Sequence, residues 1–203
     1  MIANRNSRER ALALAALKLA GQTAWDNLTL AQIAKAARCP LLQARKLFPD
    51  TTALLPAVVR LIDEETAVLV GTLDNSAAAR DRLFEVLMAR FDVLQSHRAG
   101  VLAIAAACRA TPSRIPVMLK TQWDSMRAML RLANLSECGI FQTVGLIALY
   151  DLALRRWSDD HTSDMAKTMA TLDRLLRRAE RLIEIFARAS SDDHPRQRGH
   201  TRV

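Results

Sequence analysis

Gln43, Arg45 and Lys46 stand close together in the run PLLQARKLF, Pro40 to Phe48. Their side chains offer hydrogen-bond donors suited to base edges and phosphate oxygens. A glutamine amide can pair bidentately with adenine, and a guanidinium or ammonium group can reach guanine or phosphate. Leu41 and Leu42 beside them could touch thymine methyl groups or could belong to the core. Thr29, at the head of the preceding helix, completes the candidate contact set. The alternative for the whole group is a basic helix that is merely solvated.

The elements around these residues must hold them in place. Leu28, Leu30, Ile33, Ala34 and Ala37 share one face of a short helix. Thr29 is placed as its N-cap, and Gln32 follows three residues later, the spacing of a capping box. The pattern breaks at Arg38-Cys39-Pro40. Proline suits the start of a new helix because its missing N–H has no helical partner there. A second short helix over residues 40–47 follows, Phe48 closes the unit, and Pro49-Asp50 turns the chain. Two short helices joined by a tight turn form a helix-turn-helix, whose second helix enters the DNA major groove.

This stretch resembles the DNA-binding domain of the TetR family of bacterial transcriptional regulators. The resemblance is carried by LALAALKLA at Leu12 to Ala20, by Trp25-Asp26, by LTLAQIAKAA at Leu28 to Ala37, and by KLFPDTTALL at Lys46 to Leu55. The sequence departs from the family pattern at four positions. The family usually has glycine where Ala24 and Arg38 stand, tyrosine where Arg45 stands, and a phosphate-contacting lysine where Thr51 stands. The resemblance implies a three-helix DNA-binding domain over residues 1–50. Behind it comes a helical effector-binding and dimerisation domain over 51–190, tied on by the fourth helix.

Composition agrees with an all-α chain. The hydrophobic fraction is 50%, with six glycines and six prolines in 203 residues. Alanine, leucine and arginine dominate, and all favour helices. No alternating β-run bounded by turn signals stands out. The net charge is +8, and nine basic against three acidic residues fall between Met1 and Arg60. A basic N-terminal domain points to a polyanion, either nucleic acid or an anionic membrane surface. Cys39, Cys108 and Cys138 are odd in number and far apart, which suits neither a disulfide framework nor a zinc site and fits a reducing cytoplasm. The polar, basic N-terminus carries no apolar core of a signal peptide. The longest apolar run, Val101 to Cys108, falls far short of the ~20 residues a membrane span needs.

Periodicity along the chain predicts about nine helices. A disordered basic arm over 1–7 precedes helix 1 at 8–22, with Leu12, Ala16 and Leu19 inward and Trp25 plugging its end. Helix 4 is expected from Asp50 to Leu73, with Pro56 bending it or tightening its first turns. Helices 5 to 8 follow at about 77–97, 99–110, 114–132 and 140–157. In helix 5, Leu83, Phe84, Leu87, Phe91 and Leu94 form the apolar stripe and Arg90 falls elsewhere. Helix 9 starts after SDDHTSD, capped by Ser163 or Thr162 with Asp164 in its first turn. Its stripe runs from Met165 through Met169, Leu172, Leu176 and Ala179 to Ile183 and Phe186. The polar tail at 191–203 is expected to be disordered.

Phe84, Met88, Phe91, Met118, Trp123, Met126, Met129 and Phe141 are bulky and flexible. They would line an apolar effector pocket or simply fill the core. Helix 8 is apolar on more faces than one core can cover. Pairing helices 8 and 9 with a second copy would bury the excess, with Leu149, Leu152, Leu172 and Leu176 as candidate interface positions. Asp159, Asp160, His161 and Asp164 read as a capped loop before helix 9 rather than a metal site, and His97, His194 and His200 are isolated. No phosphate loop, nucleophile elbow or paired-histidine zinc motif appears, so no catalytic residue, cofactor or metal is expected.

The leading expectation is a homodimeric, ligand-responsive repressor released from its DNA operator by a small apolar effector. A second resemblance gives a rival. Leu149 to Leu176, with Tyr150, Asp160, Asp164, Thr168 and Leu172, is similar to part of a TetR-fold lipid-binding protein of ubiquinone biosynthesis that does not act on DNA. Those proteins continue into an amphipathic membrane-binding helix. The residues after Ser190 here are too polar to form one.

Overall fold

Capping residues and 3.6-residue periodicity settle into nine α-helices and no strand among the described residues. A computed structural model of the chain describes the backbone of residues 2–192 and the side chains of residues 5–181. The helices are α1 (Ile2–Ala20), α2 (Leu30–Ala36), α3 (Leu41–Leu47), α4 (Leu55–Val70), α5 (Ala79–Ser96), α6 (Arg98–Ala110), α7 (Ile115–Leu132), α8 (Ile140–Ser158) and α9 (Ala166–Asp192). Single 3₁₀ turns at Trp25–Asn27 and Pro112–Arg114 join α1 to α2 and α6 to α7.

Trp25 is buried in the same core cluster as Leu12, Ala16, Leu17, Ile33, Ala34, Ala44 and Phe48. Leu17 takes the inward place expected of Leu19, which is half-buried. The buried surface of α1 is broad because the helix meets α2 and α4 as well as α6. The expected arm over 1–7 is instead the first part of α1 from Ile2 onward. There Arg5 donates to Glu9 one turn later at 2.8 Å and continues the helix outward.

Helix α4 starts later than its sequence suggested. Asp50 Oδ1 accepts from the Ala53 amide at 2.8 Å, so it caps a turn, and the helix proper begins at Leu55. Pro56 sits in the first turn, where no helical hydrogen bond is sacrificed and no bend is needed. From there α4 runs between α1, α5 and α7. Arg10 of α1 reaches Glu64 at 2.8 Å and Glu65 at 3.3 Å, and Glu65 meets His97 at 2.9 Å.

The start of α9 is held by a buried carboxylate. Asp160 Oδ2 accepts from the Thr168 amide at 2.8 Å and its hydroxyl at 2.9 Å. Its Oδ1 accepts from the Thr162 hydroxyl at 2.7 Å. Thr162 Oγ1 also accepts from the Ala166 amide, as expected of a cap, while Asp164, expected in the first turn, lies before the helix and accepts from the same amide. The hydrogen bond from the Thr162 hydroxyl, with those from Thr168, outweighs burial and holds the Asp160 carboxyl well below the usual carboxylate range. Ser191 and Asp192 extend α9. The rest of the expected tail, with His194 and His200, lies outside the described residues, as do the side chains of Ile183 and Phe186.

Candidate nucleic-acid interface

The helix-turn-helix is built by local hydrogen bonds that the sequence encodes. The Gln32 amide N–H donates to Thr29 Oγ1 at 3.3 Å, and Gln32 Oε1 accepts from the Thr29 amide at 2.8 Å, a complete capping box. The hydroxyl of Thr29 also donates to Gln32 Oε1, so this candidate contact residue serves the cap in this structure. After α2 the chain turns through Arg38, whose φ of 51° lies in the left-handed region. Glycine suits that conformation best, which accounts for glycine being usual at this place. Ala24, at the other such place, has φ of −54°, and alanine fits it without strain.

Helix α3 divides its residues by face. Leu41 and Leu47 are half-buried against the core, and Ala44 and Phe48 are buried. Leu42, Arg45 and Lys46 lie three and four residues apart on the opposite face, and all three are open to solvent. Leu42 is 68% exposed. Gln43 is half-buried, and its Oε1 is enclosed without a hydrogen-bond partner. Pairing with adenine would require that amide to swing outward. Lys35 on α2 and Arg38 in the turn add cations the candidate set omitted. Among the described residues, none of Lys35, Arg38, Arg45 and Lys46 forms an ion pair. The acidic groups nearby in sequence are committed elsewhere: Asp26 pairs with Arg114 and Asp50 caps its turn.

The candidate effector residues do not come together around one cavity. Phe91 and Met126 are fully buried, with Met129 beside them in the core cluster. Phe91 stacks on Tyr150 with ring centroids 5.6 Å apart. Phe84, Met88, Met118 and Trp123 are half-buried, while Phe141 is 89% exposed. Phe141 therefore cannot line an internal pocket: it sits in the first turn of α8, on a side left open among the described residues. Concave surface is found elsewhere. A cavity of about 90 Å³ lies between α1 and α4 among Glu9, Arg10, Arg60 and Glu64, and an open groove runs beside Val68 and Leu69.

Between α4, α5, α7 and α8 the core holds an ion pair instead. Arg90, expected on a polar face, is 3% exposed. Its Nε donates to the Tyr150 hydroxyl at 3.0 Å and its Nη1 to Asp63, which also accepts from Ser125 at 2.8 Å. Burial alone would weaken the charge on Arg90, but Tyr150 and Asp63 outweigh it and raise its pKa. One signal of this was present in the sequence: Arg90 falls in step with Leu83, Leu87 and Leu94 on the apolar stripe.

The four candidate interface leucines also separate. Leu149, Leu172 and Leu176 are buried where α8 packs on α9, so they belong to the protomer's own core. Leu152 alone is open, at 52%. The residues that carried the second resemblance are framework in this structure: Tyr150 accepts from Arg90, Asp160 accepts from Thr168 at the start of α9, and Leu172 is core.

No family model and no curated protein matches this sequence. Solved structures do match. A TetR transcriptional regulator from Nitrosomonas europaea ATCC 19718 superposes with a TM-score of 0.68 at 18% identity, over 85% of this chain and 97% of its own. A TetR transcriptional regulator from Rhodococcus sp. RHA1 gives 0.64 at 20% identity, over 85% and 97%. The multidrug binding protein EbrR, complexed with imidazole, gives 0.54 at 23% identity, over 84% and 92%. Together with the helix-turn-helix and the all-helical architecture of the described residues, these likenesses establish that the chain has the fold of the TetR-family transcriptional regulators.

Proposed function

We propose that this protein is a DNA-binding transcriptional regulator that acts as a homodimer. The observation that carries the proposal is the outer face of α3, where Leu42, Arg45 and Lys46 meet solvent and, among the described residues, no acidic group pairs with the cations. Such a face on a helix-turn-helix suits the major groove, and the cations suit the phosphates beside it.

The second copy follows from α8. Phe141, Val144, Ala148 and Leu152 recur along one side of that helix and are exposed, and Met169 of α9 is exposed as well. A contiguous apolar strip of that kind marks an interaction surface. A second copy is the occupant that also supplies a second recognition helix, so that the pair reads a near-palindromic operator. The dimer face is thus the outer side of α8 rather than the leucines between α8 and α9.

The proposal extends to a repressor in the cytoplasm that leaves its operator when a small apolar molecule enters among α5, α7 and α8. Support comes from the shared fold, one example of which is a multidrug binding protein. Phe84, Met88, Met118 and Trp123, the half-buried members of the candidate set, are the side chains that would give way. Binding would favour a conformation in which α4 holds the reading heads at another separation.

The test is a titration of the purified protein with DNA from its own upstream region at moderate salt. A saturable shift is expected. Its salt slope should fall by about one for each phosphate anchor that Arg45→Ala or Lys46→Ala removes. The rival lipid-binding function predicts no shift. An unaltered titration with both substitutions combined would sink α3 as the reader.

A further inference from the structure

We propose that Leu42 reads the C5-methyl group of a pyrimidine in the major groove. The inference rests on the DNA-binding function above and names what the site recognises. Among residues 5–54, Leu42 is the one large hydrophobic side chain left exposed; the others begin at Val68. Its neighbours explain why it has no place inside. The inner face of α3 is filled by Leu41, Ala44, Leu47 and Phe48, which pack against the core. Leu42 lies on the other face with Arg45 and Lys46.

A leucine held in water on a rigid element gains free energy only when something apolar covers it. In the major groove the base edges are polar donors and acceptors, with one apolar exception, the methyl group at C5 of thymine. A methylated cytosine carries the same group at the same position. Arg45 and Lys46 nearby can anchor phosphates, which sets register but reads no sequence. Gln43 has its amide oxygen enclosed, so Leu42 shares the exposed face of α3 with Arg45 and Lys46 alone. The recognition element is therefore an apolar contact flanked by charged anchors.

The experiment selects binding sites for the full chain from a random double-stranded pool, then measures affinity on the selected site with single base exchanges. Thymine is replaced by uracil position by position, and cytosine by 5-methylcytosine. Removing the one methyl group should weaken wild-type binding roughly threefold to tenfold at one position in each half-site. Leu42→Ala should still bind with the same salt slope but respond to neither exchange. If thymine supplies the methyl, uracil weakens binding; if methylcytosine does, methylation tightens it. Either outcome supports the inference. A selected site at which no C5 exchange changes wild-type affinity overturns it, as does Leu42→Ala retaining the response. Failure to select any sequence overturns the DNA-binding function itself, which separates the two results.

Discussion

Gly100 of α6 lies so close to α1 that a Cβ at this position would come within 2.1 Å of the carbonyl oxygen of Leu17. The obstacle is backbone and cannot rotate away. This close approach packs α1 on α6, and Asp26 with Arg114 ties the turn after α1 to the turn after α6. Gly100→Ala should therefore destabilise, toward the upper end of the ~1–3 kcal/mol seen for overpacking. Alanine's better helix propensity, about 1 kcal/mol, offsets only part of this. Urea unfolding of the two proteins gives the difference directly; an equal or higher midpoint for the variant would show that α1 and α6 can part without penalty.

The left-handed turn at Arg38 makes a prediction of the opposite sign. A side chain in that conformation costs roughly 1–2 kcal/mol. Glycine removes the strain but forfeits about 0.5–1 kcal/mol to its freer unfolded chain. Arg38→Gly should thus raise the unfolding midpoint slightly. The same variant lacks a cation of the turn, so its DNA affinity should fall where stability rises. Urea unfolding and a DNA titration of the one variant check both halves.

The buried pair of Arg90 and Asp63 should respond unevenly to substitution. Removing the carboxylate in Asp63→Ala leaves a guanidinium without its partner in the core and should cost about 3–5 kcal/mol. Replacing both groups by apolar ones, Arg90→Met with Asp63→Leu, should recover most of that stability. Thermal unfolding of the single and double variants decides it, and a double variant no better than the single would show that Tyr150 and Ser125 depend on the charges.

Asp160 makes a prediction about pH. Its folded pKa is depressed, so the stability it contributes is complete above the unfolded carboxylate value near 4 and is lost as pH falls toward the folded value. Asp160→Asn keeps the shape but replaces an acceptor facing Thr162 and Thr168. The variant should melt lower at neutral pH, and the gap should narrow as pH drops below about 4. A gap that stays constant across that range would mean the charge contributes nothing.

Assembly separates the two kinds of leucine on the C-terminal helices. Leu152→Glu with Phe141→Glu alters exposed positions and should yield a folded monomer with weak DNA binding. Leu176→Glu puts a charge into the α8–α9 core and should unfold the chain instead. Sedimentation and circular dichroism distinguish the outcomes. A stable wild-type monomer at micromolar concentration would remove the dimer.

The amino-acid sequence by itself determined the helices, the caps of α2 and α9, and the helix-turn-helix, because these depend on interactions within a few residues. Thr29 with Gln32, and Pro40 at the start of α3, could be read without neighbours. Pro56 shows the limit: a proline marks a helix start or a bend equally well until the capping turn at Asp50 is seen to end before it. Which apolar face meets which partner was decided only by tertiary structure. Leu149 and Leu152 are alike in sequence, yet one fills the α8–α9 core and the other faces water. Phe91 and Phe141 divide in the same way, and Arg90 lies inside because Asp63, Ser125 and Tyr150 arrive from three other helices. Burial is a property of the assembled helices, so a residue's periodicity can mark a face but cannot name what covers it.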